Sequence, residues 1–356
     1  MKYPAVLRFE DILPELERFD ALIDVRSPAE FAEDHIPGAI NCPVLDNEER
    51  VRVGTLYKEA GAFEAKKVGA AIVARNIARH IDEHFVSCGR DWRPLVYCWR
   101  GGNRSGAMAH ILAKIGWPVV QLDGGYKEYR HHVLAALEEL PRRFNYRVLC
   151  GTTGCGKSRL LQSLDAAGAQ VLDLEQLAAH RGSLLGQLPN KPQPSQKAFE
   201  SGVWQALRGF DAARPVYVES ESKKVGNLRV PEALMETIRA SNCVALDLAM
   251  PARVALLMRD YAHFVAAPEG LNSQLDHLVQ QHGRERINHW QELSAAGRMA
   301  EVVEALLTEH YDPAYLRSID RNFARHGKAR PLAMTGIADS DFTHAAQALL
   351  ADDQVE

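Results

Sequence analysis

The fold of this chain is decided by the stretch Gly151-Thr152-Thr153-Gly154-Cys155-Gly156-Lys157-Ser158. The stretch fits the pattern G-x-x-x-x-G-K-[ST] at every position, with an apolar strand before it (residues 146–150) and an amphipathic helix after it (residues 158–167). Its glycines let the backbone surround a phosphate, while the helix N-terminus supplies N–H donors. Lys157 adds a point charge and Ser158 a hydroxyl for phosphate or Mg²⁺. The stretch therefore predicts a phosphate-binding loop (P-loop) in an α/β domain.

The sequence leaves the ligand of the P-loop open. A nucleotide, ATP or GTP, would need an acidic residue on another strand to hold Mg²⁺. Asp173, Glu219 and Asp247 each lie near the carboxyl end of a predicted strand. Glu221, in a charged loop after the strand that ends at Glu219, is a further acidic candidate, because α/β sheets bind ligands at such ends. The alternative ligand is a diphosphate other than a nucleotide.

A second site is predicted around Cys98, which ends an apolar strand (residues 94–98). The loop that follows, up to the start of a helix, consists of Trp99, Arg100, Gly101, Gly102, Asn103, Arg104 and Ser105. Successive N–H groups of this loop can converge beside the sulfur, and the helix N-terminus adds its positive dipole end. Both effects, with the two arginines, should stabilise a thiolate or a bound anion. We therefore predict that Cys98 is a nucleophile that carries a chalcogen atom.

Strand, loop and helix patterns alternate along most of the chain, which is typical of a mainly parallel sheet covered by helices. We predict strands at residues 21–25, 94–98, 118–122, 146–150, 170–174, 215–219 and 243–248. The predicted parts are an N-terminal α/β domain (1–135), a linker (136–145), a P-loop domain (146–265) and a helical C-terminal region (266–356). Residues 182–197 form a loop too long for a simple connector.

The composition excludes several classes of protein. The 356 residues are 46% hydrophobic and 25% charged, as in folded globular proteins, and 42 Lys and Arg against 46 Asp and Glu leave a net charge of −4. No run of apolar residues is long enough to span a membrane, and the charged N-terminus lacks the apolar stretch of a signal peptide. We therefore expect a cytoplasmic protein without a membrane partner. The six cysteines show no paired spacing, so neither a disulfide framework nor a metal site is predicted.

A protein with a net charge of −4 can bind nucleic acid only through a local basic surface. Arg317, Arg321 and Arg325 are spaced i, i+4, i+8, so one helix would align them on one face. Arg142 and Arg143 form a basic pair in the predicted linker. Such residues can neutralise phosphates, although most arginine stripes are solvated helix faces. The sequence leaves both interpretations open.

The first third of the chain resembles a rhodanese domain over roughly residues 8–135. The resemblance rests on residues 22–31 (LIDVRSPAEF), residues 35–41 (HIPGAIN), the loop that begins at Cys98, and residues 122–126 (LDGGY). The last of these segments resembles the one that closes the rhodanese active-site loop. In the rhodanese pattern Asp24 and Arg26 tie the fold together by hydrogen bonds, so we assign them a structural role. Trp99 lies where many sulfurtransferases have arginine, which indicates an acceptor other than a small thiophile.

The combination of this domain with a following P-loop domain resembles the tRNA 2-selenouridine synthase family. Four further segments carry the resemblance, namely 171–175 (VLDLE), 180–183 (HRGS), 193–197 (QPSQK) and 219–224 (ESESKK). The family implies replacement of sulfur by selenium in 2-thiouridine at the tRNA wobble position, with selenophosphate as the donor. It is also linked to transfer of a geranyl group from geranyl diphosphate to that sulfur. The resemblance thus implies thiolated tRNA and a selenophosphate-producing enzyme as partners, and no tightly bound cofactor.

The implied chemistry assigns a task to each site. An S-alkylated thiocarbonyl sulfur leaves as a neutral thiol once a nucleophile adds at carbon, and the P-loop would hold the diphosphate of the prenyl donor. Cys98 either carries selenium as a perselenide or only assists the loss of sulfur. Two other functions stay open: an ATP-dependent sulfurtransferase or P-loop kinase with a rhodanese domain, and a non-enzymatic sensor whose Cys98 loop only binds anions.

Overall fold

A computed structural model describes residues 3–183, 185–189 and 191–353 of the chain. The chain divides into two compact units. The first unit extends to Ala136 and includes Pro194–Gln205, whereas the second comprises Leu137–Gln193 and the residues from Ala206 onwards. The segment Pro194–Gln205 therefore interrupts the second unit, an arrangement that the sequence did not predict.

The first unit contains a five-stranded parallel sheet. Its strands are β1 (Ala5–Leu7), β2 (Ala21–Asp24), β3 (Ala39–Asn41), β4 (Pro94–Tyr97) and β5 (Val120–Leu122). They lie in the order β1-β5-β4-β2-β3. The central strand β4 is buried along its whole length, which explains its continuous apolar sequence. The strands predicted near residues 21, 94 and 118 are confirmed.

Helices of the first unit begin and end at residues suited to those positions. The helices are α1 (Phe9–Ile12), α2 (Pro28–Glu33), α3 (Asn47–Glu59), α4 (Ala62–His80), α5 (Asn103–Ile115) and α6 (Gly125–Glu139), with a 3-10 helix at Leu13–Arg18 and a π-helical turn at Ile81–Phe85. Ser27 lies before α2, and its backbone N–H donates to the Glu30 carboxylate at 3.1 Å. Gly116 ends α5 with a φ of 125°, as the sequence predicts for a C-terminal glycine.

The segment Pro194–Gln205 is held in the first unit by a buried carboxylate and an aromatic contact. Asp34 accepts hydrogen bonds from the Tyr126 hydroxyl at 2.7 Å and from the Ser201 hydroxyl at 3.0 Å. The ring of Trp204 meets that of Tyr129 edge to face, with centroids 5.6 Å apart. These contacts explain why this segment clusters with a unit from which it is remote in sequence.

The second unit contains another five-stranded parallel sheet, with the strand order β12-β11-β6-β8-β7. Its strands are β6 (Tyr146–Cys150), β7 (Gln170–Leu172), β8 (Val216–Glu219), β11 (Asn242–Asp247) and β12 (Arg330–Ala333), and a small hairpin is formed by β9 (Lys224–Val225) and β10 (Leu228–Arg229). The P-loop follows β6, the central strand. The predicted strands are confirmed, and the two sheets confirm the predicted α/β fold class.

Helices surround this second sheet and form most of the C-terminal part. They are α7 (Lys157–Ala166), α8 (Leu174–Leu177), α10 (Glu232–Ala240), α11 (Met250–Asp260), α12 (Ala262–Ala266), α13 (Pro268–Leu275), α14 (Val279–His282), α15 (Arg284–Ala295), α16 (Met299–Leu306), α17 (Asp312–Asn322) and α18 (Asp339–Asp353). Helix α9 (Gln196–Arg208) belongs to the first unit as far as Gln205. Short 3-10 helices lie at Leu140–Arg143, Asp276–Leu278 and His326–Lys328, and a π-helical turn at Leu307–Tyr311. Within the described residues, no helix is both long and apolar enough to cross a membrane.

The C-terminal region completes the second unit. The sequence predicts only helices after residue 266, but β12 adds an edge strand to the sheet by pairing in parallel with β11. A four-residue strand that contains a proline carries too weak a pattern to be predicted. In α18, Phe342 and Leu349 are buried in the same core as Leu160 and Leu161 of α7. The helix after the P-loop is therefore supported by the end of the chain.

Candidate functional site

The first unit places Cys98 directly after β4, where its side chain is buried with the residue 2% exposed. The Ser105 hydroxyl, in the first turn of α5, donates a hydrogen bond to the Cys98 sulfur at 3.3 Å. The thiol in turn lies 3.5 Å from the carbonyl oxygen of Arg100, to which it donates. The sulfur is thus enclosed by its own loop, at the N-terminus of a helix whose first N–H groups have no intrahelical partner.

Two glycines shape this loop. Gly101 and Gly102 have φ angles of 64° and 72°, in the left-handed region that disfavours side chains. A Cβ atom on Gly102 would lie 2.5 Å from the amide nitrogen of Gln121, which donates to the Gly102 carbonyl and to the Ser105 hydroxyl at 3.3 Å each. A side chain at this position would be strained by its φ and would displace the Gln121 amide, which orients the serine that contacts the sulfur.

The arginines of the loop do not act on the sulfur as predicted. Arg104 donates to the Glu30 carboxylate at 2.8 Å, and Arg50 also lies 3.1 Å from that carboxylate. Burial alone would raise the pKa of Glu30, but the hydrogen bond and charge of Arg104 lower it to about 2. The Arg104 guanidinium is therefore held by Glu30, which it shares with Arg50. The sequence could not show this, because Glu30 lies 74 positions away. Arg100 is exposed and faces the sulfur with its backbone carbonyl.

The segment after β5 closes the Cys98 loop. The Tyr126 N–H donates to the Cys98 carbonyl at 2.7 Å, and the Lys127 N–H donates to the Trp99 carbonyl at 3.0 Å. The rings of Trp99 and Tyr126 stack with centroids 5.4 Å apart. Gly125 has a φ of 60°, and a Cβ there would lie 2.4 Å from the Cys98 carbonyl oxygen. The close approach of the two backbones therefore depends on this glycine.

The structural role assigned to Asp24 and Arg26 is confirmed. The buried Arg26 guanidinium donates to both carboxylate oxygens of Asp24, at 2.6 to 3.0 Å. It also donates to the Asp34 carbonyl at 2.6 Å, and its cationic carbon lies 3.9 Å from the centre of the Tyr126 ring. With these donors directed at protein groups, Arg26 organises the loops beside the site and does not point at a ligand.

In the second unit, the P-loop bends through Gly154 and Gly156, with φ angles of 80° and 90°, and α7 begins at Lys157. The Lys157 ammonium donates to the Gly151 carbonyl at 2.7 Å and lies 4.0 Å from the Cys155 sulfur. Burial opposes its charge, but negative groups around it raise the pKa of Lys157 above its ordinary value. The lysine is therefore a fixed positive charge within the loop.

Two residues that the sequence did not reveal hold the P-loop in place. Arg253 of α11, which is 5% exposed, donates to the Thr153 carbonyl at 2.7 and 2.9 Å and pairs with Asp312 at 2.6 Å. The Tyr315 hydroxyl of α17 accepts the Gly151 N–H at 2.6 Å. Neither residue carries a local sequence signal, because each is at least a hundred positions from its partner in the loop.

Acidic side chains face the P-loop from the ends of neighbouring strands. Ser158 donates to the carboxylate of Glu175 at 2.9 Å, and the Glu175 N–H donates to Glu219 at 2.9 Å. Burial, followed by the charge of Glu221, raises the pKa of Glu175 to about 8. Burial and the neighbouring acids likewise raise the pKa of Glu219 well above its ordinary value. Of the predicted acids, Glu219 and Glu221 thus join this cluster.

Asp173 and Asp247 have different positions. Asp173 caps α8 by accepting the Gln176 N–H at 2.7 Å, and it also lines the cavity beside the P-loop. Asp247 is exposed at the end of β11. Glu175, whose carboxylate accepts the hydrogen bond of the P-loop serine, was not singled out from the sequence. Its signal was its position two residues after Asp173, at the start of a helix that follows a strand.

A cavity of about 710 Å³ lies over the P-loop, and both charged and apolar side chains line it. Lys157, Ser158, Glu175 and Glu221 line it together with the basic side chains Arg159, Arg181, Lys191 and Arg239. A smaller apolar cavity adjoins it and shares Thr153, Ser183, Leu257, Tyr261 and Tyr311 with it. The smaller cavity is further lined by Leu185, Met258, Phe264, Val265, Leu271, Met299, Val303, Leu306 and Leu307. The charged cavity over the P-loop and the apolar cavity are therefore adjacent within one unit.

The prediction that one helix aligns three arginines is correct for Arg317 and Arg321 and wrong for Arg325. Arg317 and Arg321 are exposed on α17, one turn apart. The helix ends at Asn322, so Arg325 lies beyond it and donates to the Asn242 side chain at 2.7 Å. Arg142 pairs with Glu236 at 3.3 Å, and Arg143 lies beside it in a 3-10 turn. The phenyl ring of Phe323 is buried, which draws the chain away from the helix axis before Arg325.

These two sites define a class of protein, a rhodanese-like domain joined to a P-loop domain. Residues 9–132 match the family described as "Rhodanese-like domain", and residues 142–330 match "tRNA 2-selenouridine synthase AAA domain". The chain belongs to the tRNA 2-selenouridine synthase family. It is 33% identical to the tRNA 2-selenouridine synthase of Marinobacter nauticus, over 83% of this chain and 87% of that protein. It is 33% identical to that of Hydrogenovibrio crunogenus over 83% and 88%, and 34% identical to that of Nitrosomonas europaea over 67% and 63%.

Proposed function

We propose that this enzyme replaces the sulfur of 2-thiouridine at the tRNA wobble position with selenium, in two steps. Geranyl diphosphate first alkylates the sulfur, and selenium from selenophosphate then displaces the geranylated sulfur. The observation that carries this proposal is the apolar cavity beside the P-loop. A prenyl diphosphate is a ligand with a highly anionic end and an apolar end, and the P-loop with its adjoining apolar cavity suits both.

The P-loop supplies the charged end of this site. Its glycine-rich backbone and the N-terminus of α7 offer N–H donors to a diphosphate, and Lys157 adds a fixed positive charge. Arg181 and Arg239 line the same cavity with further basic groups, whereas Arg159, which also lines it, is paired with Asp260 at 2.5 Å. Because the diphosphate gains charge as it departs from carbon, donors that are already oriented towards it lower the barrier.

The apolar cavity supplies the other end. Side chains such as Leu257, Phe264, Leu271 and Leu306 line this cavity of about 60 Å³, and the part of a geranyl chain that enters it would leave water. Burial of apolar surface contributes about 25 cal/mol per Å², so such a chain favours binding strongly. The polar ribose and base of a nucleotide would gain little from these walls. The cavity therefore favours a prenyl diphosphate over ATP or GTP.

The proposed reaction balances without hydrolysis of ATP. The thiocarbonyl sulfur attacks the first carbon of the geranyl group, and the electron pair of the broken carbon–oxygen bond leaves with the diphosphate. The selenium of selenophosphate then adds at the uridine carbon, and the sulfur departs as geranyl thiol after gaining a proton. Water cleaves the selenium–phosphorus bond, so the phosphoryl group leaves as inorganic phosphate and selenium remains on the uridine carbon. Cys98, with its sulfur hydrogen-bonded to Ser105 at a helix N-terminus, is the group we assign to the selenium step.

Mg²⁺ would fit beside the P-loop. The Glu219 oxygen Oε2 is buried and has no hydrogen-bond partner among the described residues, and Ser158 and Glu175 lie next to it along one chain of hydrogen bonds. Carboxylate and hydroxyl oxygens are the ligands that Mg²⁺ prefers. The ion would be held by Ser158, Glu175 and Glu219, and it would supply positive charge to the diphosphate. The proposal requires no tightly bound cofactor beyond it.

The test is direct. The purified enzyme is incubated with thiolated tRNA, geranyl diphosphate and selenophosphate, without ATP, and the nucleosides are analysed by mass spectrometry. We expect S-geranyl-2-thiouridine and then 2-selenouridine. Cys98→Ala should accumulate the geranylated nucleoside, whereas Lys157→Ala should slow geranylation by roughly tenfold or more, because charged hydrogen bonds contribute about 1.5–3 kcal/mol. A requirement for ATP hydrolysis would instead support an ATP-dependent sulfurtransferase.

A matched pair of variants tests the apolar cavity itself. Val265 lines this cavity and is 39% exposed, so Val265→Trp should fill the cavity without disrupting the core. Val51, on α3 of the first unit, is 64% exposed, and Val51→Trp is the control. We expect Val265→Trp to raise the KM for geranyl diphosphate and Val51→Trp to leave it unchanged. Equal kinetics for the two variants would place the prenyl chain elsewhere.

A further inference from the structure

Three potential metal ligands converge at the end of α4, in the first unit. His80, Glu83 and His84 each offer a ligand atom, and these atoms all lie within 4.8 Å of one another. His80 and His84 are spaced i, i+4, which places them on one face of a helix. The spacing H-x-x-E-H of this segment is also found where helices bind zinc through two histidines. The prediction that the chain has no metal site rested on the spacing of cysteines and did not cover these histidines.

The orientation of His80 is an independent indication of a ligand. The residue is 4% exposed, and its Nε2 lies 2.9 Å from the carbonyl oxygen of Pro43. Because a carbonyl only accepts, Nε2 carries the proton, and Nδ1 of the neutral ring has a free lone pair. Nδ1 is buried and has no hydrogen-bond partner among the described residues. Metal-bound histidines likewise donate one ring nitrogen to a backbone carbonyl and use the lone pair of the other for the metal.

The other two ligands can complete a site from the solvent side. The Glu83 carboxylate lies 3.8 Å from Nε2 of His84, and both side chains are about half exposed. Both belong to the π-helical turn Ile81–Phe85, and such turns in helices are frequent at functional sites. Exposed side chains can rotate to shorten these distances to those of metal coordination, while His80 provides a fixed point.

We infer that His80 Nδ1, the Glu83 carboxylate and a ring nitrogen of His84 form a binding site for a divalent transition metal of the zinc class, with water at the remaining position. Imidazole nitrogens with one carboxylate are ligands that suit Zn²⁺. The ion would tie the end of α4 to the π-helical turn. Phe85, the last residue of that turn, packs in the same core as Cys98, so the site would stabilise the unit that carries the cysteine.

Zinc binding to the full, untagged chain tests the inference. The protein is stripped with a chelator, desalted and titrated with ZnCl₂ in competition with a chromophoric chelator. We expect one site that His84→Ala weakens by at least about tenfold, since even the loss of a group that only orients a ligand costs that much. His84 is chosen because His80 is buried. His131→Ala, which removes an exposed histidine on α6 of the same unit, is the control and should bind zinc like the wild type.

Two further measurements distinguish this site from the cysteines. With Co²⁺ in place of Zn²⁺, ligation by nitrogen and oxygen gives visible bands without sulfur-to-cobalt charge transfer. Zinc should also raise the thermal midpoint of the wild type by several degrees and leave that of His84→Ala unchanged. Equal zinc affinity of wild type and His84→Ala, or a sulfur charge-transfer band, would overturn the inference.

Discussion

Replacing Gly125 with alanine is expected to displace the backbone of Cys98. The new methyl group would lie 2.4 Å from the Cys98 carbonyl oxygen and 3.2 Å from two carbonyl carbons, and none of these is the flexible end of a side chain. The φ of 60° adds a penalty of about 1–2 kcal/mol for any residue with a side chain. Overpacking against a fixed neighbour adds about 1–3 kcal/mol. The variant should therefore lose about 2–5 kcal/mol of stability.

Gly38→Ala is the matched control for this prediction. Gly38 has a φ of 83°, but nothing lies within 4 Å of the Cβ it would carry. This variant should lose only the backbone penalty, about 1–2 kcal/mol. The difference between the two variants, about 1–3 kcal/mol, isolates the contact with Cys98. With a urea dependence of about 1–3 kcal/mol per M, it corresponds to a midpoint difference on the order of 1 M.

Urea unfolding followed by tryptophan fluorescence measures this difference, because four of the five tryptophans lie in the first unit, namely Trp92, Trp99, Trp117 and Trp204. The rate of alkylation of Cys98 by iodoacetamide, followed by peptide mass spectrometry, then reports on the site. We expect Gly125→Ala to change that rate and Gly38→Ala to retain it. Equal urea midpoints and wild-type alkylation in both variants would refute the argument that Gly125 positions Cys98.

Three further predictions concern the sulfur, the acidic cluster and tRNA. Ser105→Ala should slow alkylation of Cys98 by roughly tenfold, because the thiolate is the form that reacts and a hydrogen bond to a charged group contributes about 1.5–3 kcal/mol. An unchanged rate would show that the serine does not act on the sulfur. The pKa of Glu175 is raised from an ordinary 4.5 to about 8, so the folded chain keeps a proton that the unfolded chain releases between these pH values. The contribution of Glu175 to stability is therefore fully present below pH 4.5 and is lost as the pH rises towards 8. Glu175→Gln should reduce this fall in the urea midpoint, and an equally steep fall would contradict the assignment. Replacing Arg317 and Arg321 with Gln should weaken tRNA binding, measured by titration at several salt concentrations. The slope of log affinity against log salt should become shallower by somewhat less than one unit for each phosphate that is no longer neutralised. An unaltered slope would place the tRNA on another surface.

The local chemistry of both sites was predictable from short stretches of sequence. The P-loop carries its pattern in eight consecutive residues, and the Cys98 loop carries its strand end, glycines and helix start in another eight. The predicted strands appear close to their predicted bounds because each is a short apolar run between turn residues. Helix ends were also predictable where a residue such as Gly116 defines them.

Contacts between distant residues were not predictable. Arg104 was expected to act on the sulfur, yet it pairs with Glu30, and α17 ends before Arg325. Tyr315 and Arg253 hold the P-loop from helices that lie a hundred or more positions further along the chain. Their roles depend on how helices pack around a sheet, and no pattern in a single sequence encodes that packing.

The sequence by itself determined the P-loop, the Cys98 loop, the α/β class and the resemblance to one family. All of these depend on residues that are neighbours in the chain. Only the tertiary structure decided which charges are already paired, which acid faces Ser158, and that an apolar cavity adjoins the P-loop. It also revealed that Nδ1 of His80 is buried without a hydrogen-bond partner among the described residues. The physical reason is that charge balance, burial and cavities arise from side chains that folding brings together, and their separation along the chain leaves no local trace.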